Sequence, residues 1–149
     1  MNNVLKSIFI SGVLATSTIM ASATPKADIK DLPTEELIKQ NKQIVGMAAE
    51  EISKTLPKKV DKYTVLVSVK AQGTTLAYSF TIDTGSKSDK AVIKEDRERM
   101  QKAITAGVCR TSMRFLNAKV SLKYQYSSAT SKKKLFSFTI TEKDCPERL

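Results

Sequence analysis

The sequence predicts an α+β domain of two helix–hairpin units, in the order αββαββ. These would give a four-stranded antiparallel sheet with helices on one face, held by one disulfide. Three observations predict it. The hydrophobic pattern changes twice from helical spacing to strict alternation. "YSFTI" at residues 78–82 returns as "FSFTI" at 136–140, and "VSVKAQ" at 67–72 has a counterpart in "VSLKYQ" at 120–125. The residues alternating with the apolar set, Ser79, Thr81, Ser121, Lys123, Gln125, Ser137 and Thr139, are polar, so a second helical layer has nothing apolar to cover.

Residues 1–23 are set apart from the fold. Lys6 is followed by an uncharged, largely apolar run from Ser7 to Met20 and by Ala21-Ser22-Ala23, the small-residue pattern of a cleavage site. This reads as a secretory signal peptide cut after Ala23. The competing reading is a membrane anchor, but the run falls short of the roughly 20 residues a spanning helix needs. The residue directly after the cut is Thr24 and not a cysteine, which argues against a lipid-anchored form. Residues 24–149 are the size of a single domain. The expected location is the periplasm or the exterior.

In "DLPTEELIKQNKQIVGMAAEEISKTLP" either Asp31 or Thr34 serves as N-cap, and Glu35 and Glu36 suit the first turn. Ile38, Val45, Ala49, Ile52 and Leu56 form the inner stripe, and Pro57 stops the helix. Gly46 interrupts it, which suggests a close approach by another element. Val65, Val67 and Val69 then alternate inward, and after a Gln72-Gly73 turn so do Leu76, Tyr78, Phe80 and Ile82. Ser88 or Asp89 caps a second helix with Ile93, Met100 and Ile104 inside, and Gly107 is expected to end it. A helical turn in "RTSMRFLNA" would hold Met113, Phe115 and Leu116. The last hairpin turns Val120, Leu122, Tyr124, Tyr126, Phe136, Phe138 and Ile140 inward. The chain thus reads as helix–strand–strand twice, a structural repeat. The competing reading is that amphipathic strands share a small alphabet.

Cys109 and Cys145 are the only cysteines, and an exported pair normally closes into a disulfide. Buried thiols or half of a metal site are the alternatives. With no histidine and no third cysteine, tetrahedral zinc lacks its usual ligands, and no metal or cofactor is expected.

"LPKKVDKYT" at residues 56–64, Tyr78 and Phe80 as Y-x-F, Val108-Cys109, "YQY" at 124–126 and Asp144-Cys145 carry a resemblance. The chain resembles a group of small exported bacterial, periplasmic proteins with an LP-x-x-VD turn and a C-terminal cysteine pair. The resemblance implies the fold and the compartment, and it supplies no catalytic residue.

An enzyme is not expected. The absence of histidine removes the commonest general base and the usual triads. Ser131-Lys132-Lys133-Lys134 formally fits S-x-x-K but falls in a hairpin loop. Glu95, Asp96 and Glu98 interleave with Arg97 and Arg99, a pattern of solvated ion pairs. The formal charge is +10, and residues 71–149 hold 15 basic against 8 acidic side chains. Lys132, Lys133 and Lys134, with Lys119, Lys123, Arg110 and Arg114, therefore form a candidate patch for an anionic partner, set against the plainer reading of a soluble lysine-rich surface. Nucleic acid is not expected, because export separates the two and the aromatics point inward, away from bases. The reading reached is a non-enzymatic binding module, such as an inhibitor, an immunity protein or an accessory factor of an envelope or secretion complex. Its partner is another protein or an anionic envelope surface. The alternative is a small secreted effector with an unrecognised hydrolytic site.

Overall fold

Acidic residues in the first turn and an apolar stripe at helical spacing make α1, Thr34–Ser53. This computed structural model describes residues 34–146; the signal-peptide segment and the candidate cap Asp31 lie outside the described residues. Val45 and Ala49 are buried, and Ile52 and Leu56 pack partly against the core, as expected. Ile38 does not: it is 41% exposed. The stripe position between Ile38 and Val45 is taken by Asn41, which is 2% exposed and donates its side-chain amide to the Ala118 carbonyl. A Cβ built on Gly46 would meet nothing within 4 Å, so no element approaches there.

Five strands follow, β1 (Lys58–Lys59), β2 (Thr64–Gln72), β3 (Thr75–Ile82), β4 (Ser121–Ser128) and β5 (Lys134–Ile140), in the spatial order β1-β2-β3-β4-β5. This corrects the four-stranded antiparallel expectation in two respects. Two residues of the proline turn pair with Leu66 and Val65 as a short edge strand. In addition, β3 and β4 run parallel. The physical reason is the connection: α2 (Asp89–Thr111) carries the chain back along the length of the sheet, so the next strand starts from the same end as β3. The hairpins β2–β3 and β4–β5 are antiparallel as predicted. Gly73, at φ 63°, supplies the left-handed residue of the first turn.

The parallel β3–β4 pair also decides the question of the repeat. Read across the sheet, β2 to β5 run down, up, up, down. No rotation carries the first hairpin onto the second while keeping its apolar face toward the helices. The two pentapeptides match because β3 and β5 meet the same demand, aromatic residues toward the helices and hydroxyls away from them.

The two faces are cleanly separated. Tyr78, Phe80, Tyr124, Tyr126, Phe136 and Phe138 share one face in cross-strand stacks, with Phe80 and Tyr126 4.8 Å and Tyr78 and Tyr124 5.2 Å apart. The buried residues of α1, α2 and α3 join the same core cluster. The opposite face consists of rows in register, Ser68-Ser79-Gln125-Ser137 and Lys70-Ala77-Lys123-Thr139. Two strands depart from regular alternation: β5 has an irregularity at Leu135, which is buried beside Phe136, and β2 reverses part of its predicted pattern. A bulge at Val67 shifts the register between Leu66 and Ser68, so Leu66 is buried, Val67 is 40% exposed and Val65 falls on the polar face, while Val69 points inward as expected.

Helix α2 begins at the N-cap Ser88, whose hydroxyl accepts from the Ala91 N–H. It passes through Gly107 to Thr111, beyond the expected end, because Val108, 5% exposed, gains more from burial than the glycine costs. The helix α3, Met113–Asn117, is the predicted short turn; it buries Leu116 but leaves Phe115 45% exposed. Cys109 and Cys145 form the disulfide, joining α2 to a 3-10 turn at Glu142–Asp144 that follows β5.

Candidate functional site

The extension of α2 past Gly107 builds a groove that a helix ending at 107 could not. Its wall is the flank of α2 carrying Gln101, Lys102, Thr105 and Ala106, and its opposite wall is Thr139 on β5, an edge strand, with Asp144. The floor is apolar: Cys109, Cys145, Met113 and Pro146. The groove is open to solvent, with a volume of about 740 Å³. Two devices hold its shape. The disulfide ties floor to wall, and the Thr141 N–H and hydroxyl both donate to the Asp144 carboxylate, at 2.8 and 2.7 Å, fixing the 3-10 turn. Lys102 is neutralised by Glu98 at 2.8 Å. Beyond Arg110 the groove continues into a depression of about 460 Å³ lined by Arg110, Thr111, Met113, Arg114 and Asn117. The arrangement is an apolar channel with a cationic end.

A second cavity, about 750 Å³, lies at the other end of α2 between Asp61–Thr64 and Ile82–Lys87. Several of its charges are paired with one another. Asp96 binds Arg99 at 2.7 Å and Lys87 at 3.6 Å, and Lys87 binds Glu95 at 2.9 Å. The hydrogen bond from Arg99, with both neighbouring cations, holds the Asp96 carboxyl below its usual range. Asp61 accepts from the Tyr63 and Thr64 N–H groups at 2.8 Å each, and the Tyr63 contact does most to lower its pKa. These groups hold turns together.

The seven basic residues singled out in the sequence do not converge. Lys132, Lys133 and Lys134 are exposed at the tip of the β4–β5 hairpin, with Lys132 in the left-handed region at φ 61°. Arg110 and Arg114 sit at the far end of the molecule, a strand length of roughly 24 Å away along β4. Lys119 is paired with Glu142, and Lys123 lies on the polar sheet face. The S-x-x-K segment is structural: the Ser131 hydroxyl donates to Asp89 at 2.6 Å and its N–H to the Ser128 hydroxyl, docking the hairpin on the start of α2. Sequence reasoning missed the groove wall. Its signal was Thr105, Ala106 and Cys109, small residues together on one flank of a helix otherwise rich in charge.

A disulfide-pinned sheet with all helices on one face and a groove along its edge strand is thus the class of molecule at hand. The chain belongs to the family described as a domain of unknown function, DUF8479, whose model matches residues 39–136. No curated protein matches it by sequence. Three solved structures share its fold. PA3611 of Pseudomonas aeruginosa, described as a secreted protein, superposes with a TM-score of 0.65 at 11% identity, over 74% of this chain and 96% of its own. EpsS, a pilotin of the Vibrio vulnificus type II secretion system, gives 0.64 at 10% identity, over 76% of this chain and 99% of its own. AspS, the type II secretion pilotin of Vibrio cholerae, gives 0.61 at 17% identity, over 74% and 97%.

Proposed function

We propose that this is an exported, non-enzymatic accessory factor of an envelope or secretion complex, and that it holds a segment of a partner protein in the groove between α2 and β5. The observation that carries the reading is that two secretion-system pilotins share this fold over 97% and 99% of their own length. The groove adds the chemistry. Its apolar floor suits buried side chains of an inserted segment, and Arg110 and Arg114, outside the ion pairs found among the described residues, give an acidic end of that segment its counter-charge. Lys132, Lys133 and Lys134 at the opposite end are the proposed contact with an anionic envelope surface. Export belongs to the same proposal, and a mature N-terminus at Thr24 in protein recovered from the producing cell is its expected sign.

The test is genetic. Deleting the gene should leave secretion substrates inside the cell or an envelope complex unassembled, and wild-type protein should restore both. Ala106→Trp, which fills the groove from an exposed position, should fold and fail to restore them. Unchanged secretion and unchanged envelope complexes in the deletion strain would refute the proposal.

A further inference from the structure

The polar sheet face takes no part in the proposed groove function apart from Thr139, and it has a chemistry of its own. Across β2 to β5, the residues paired in register on this face are Ser, Thr, Gln or Lys except for Val65 and Ala77. With Lys59 beside Val65 on the edge strand β1, four lysines stand on this side of the sheet, the others being Lys70, Lys123 and Lys134, and no carboxylate of the described strands does. The lysines are held across the sheet. Ala77 is 3% exposed although it lies outside the core cluster on the side away from the helices, and its register neighbours are Lys70 and Lys123, side chains long enough to lay their alkyl stems over it. The two lysines thus share a register row next to the hydroxyl and amide row Ser68-Ser79-Gln125-Ser137.

We infer that this face is a binding surface for an anionic polysaccharide. The described helices pack on the other face, and a sheet face they leave uncovered suits a polymer laid across it better than an enclosed small molecule. A protein interface would need an exposed aromatic or large aliphatic centre, whereas the centre of this face is the 3% exposed Ala77 among Ser, Gln and Lys. Bases would need aromatic platforms, and all six stacked rings lie on the opposite face. A chain of hydroxylated rings carrying carboxylate, sulfate or phosphate matches both features present, ammonium groups for its charge and alternating donors and acceptors for its hydroxyls.

Affinity electrophoresis of the purified mature protein against polygalacturonate, heparin, neutral dextran and poly-L-glutamate tests this. The wild type should be retarded by both charged polysaccharides, less by poly-L-glutamate, and not by dextran. Lys70→Ser with Lys123→Ser should weaken retention about tenfold or more, and added salt should act in the same direction. Gln125→Glu, which sets a carboxylate in the centre of the face, should do the same and serves as the second variant if the lysine pair proves necessary for folding. The control Lys90→Ser with Lys94→Ser, two exposed positions on α2 on the other side of the sheet, should bind like the wild type. Retention of both face variants at wild-type strength, or poly-L-glutamate binding as tightly as polygalacturonate, would overturn the inference.

Discussion

Asn41 shows how much one buried amide can fix. It occupies a core position of α1 and donates to the carbonyl that ends α3, so it sets where the first helix meets the start of β4. Asn41→Ala leaves the Ala118 carbonyl without that donor and should cost about 1–3 kcal/mol, read as a lower urea midpoint with an unchanged slope. Its place at helical spacing between Ile38 and Val45 was visible in the sequence, but an amide in an apolar stripe does not announce its partner 77 residues away. Gly46 is the converse case. With open space around it and ordinary helical geometry, Gly46→Ala should raise stability by about 1 kcal/mol. Among the stacked rings, burial pushes the Tyr124 hydroxyl from 10.0 up to about 12, and burial raises Tyr78 and Tyr126 as well. The folded state therefore keeps these protons where the unfolded chain has lost them. Their contribution is complete below pH 10 and disappears as pH rises through about 12, a loss that melts recorded across that range should show together with delayed tyrosinate absorbance.

The elements were legible where local pattern decides them and obscure where pairing does. Alternation placed β3, β4 and β5 and turned the correct residues inward, because each strand has one buried and one wet face. The β2 bulge was hidden, since Leu66 and Val67 are both apolar and nothing local says which one is skipped. The pairing makes a specific prediction: removing Val67 brings Leu66 and Ser68 into regular alternation opposite Phe80 and Ser79, leaving other side chains on their present faces. A Val67 deletion should therefore fold with a small change in melting temperature, whereas a Val69 deletion should lose most of the cooperative transition. The disulfide was legible from compartment and count. Closing a loop of sequence separation 36, it should contribute about 4 kcal/mol, so reduction should lower the melting temperature by about 10 °C or more. An unshifted melt after confirmed reduction would contradict that estimate.

In the whole molecule, function-bearing features arise from long-range placement. The parallel β3–β4 junction leaves β5 at an edge beside α2, and that edge with the cysteine bridge makes the groove. None of this follows from spacing along the chain, which is why a basic patch looked like the leading site while its members lie at opposite ends of the sheet. The same topology separates the α2–β5 groove from the polar sheet face, so one small domain presents two distinct surfaces. The central claim is that the α2–β5 groove holds a partner's segment. Its most direct test is photo-crosslinking in the producing cell, with the reactive side chain placed at Thr105 or Thr139 in the groove, or at Lys90 outside it. The account predicts one shared adduct from both groove positions, with a subunit of an envelope or secretion complex, absent from Lys90 and abolished by Ala106→Trp. Adducts formed equally from all three positions, or none from the groove in cells where the protein is exported and folded, would contradict it.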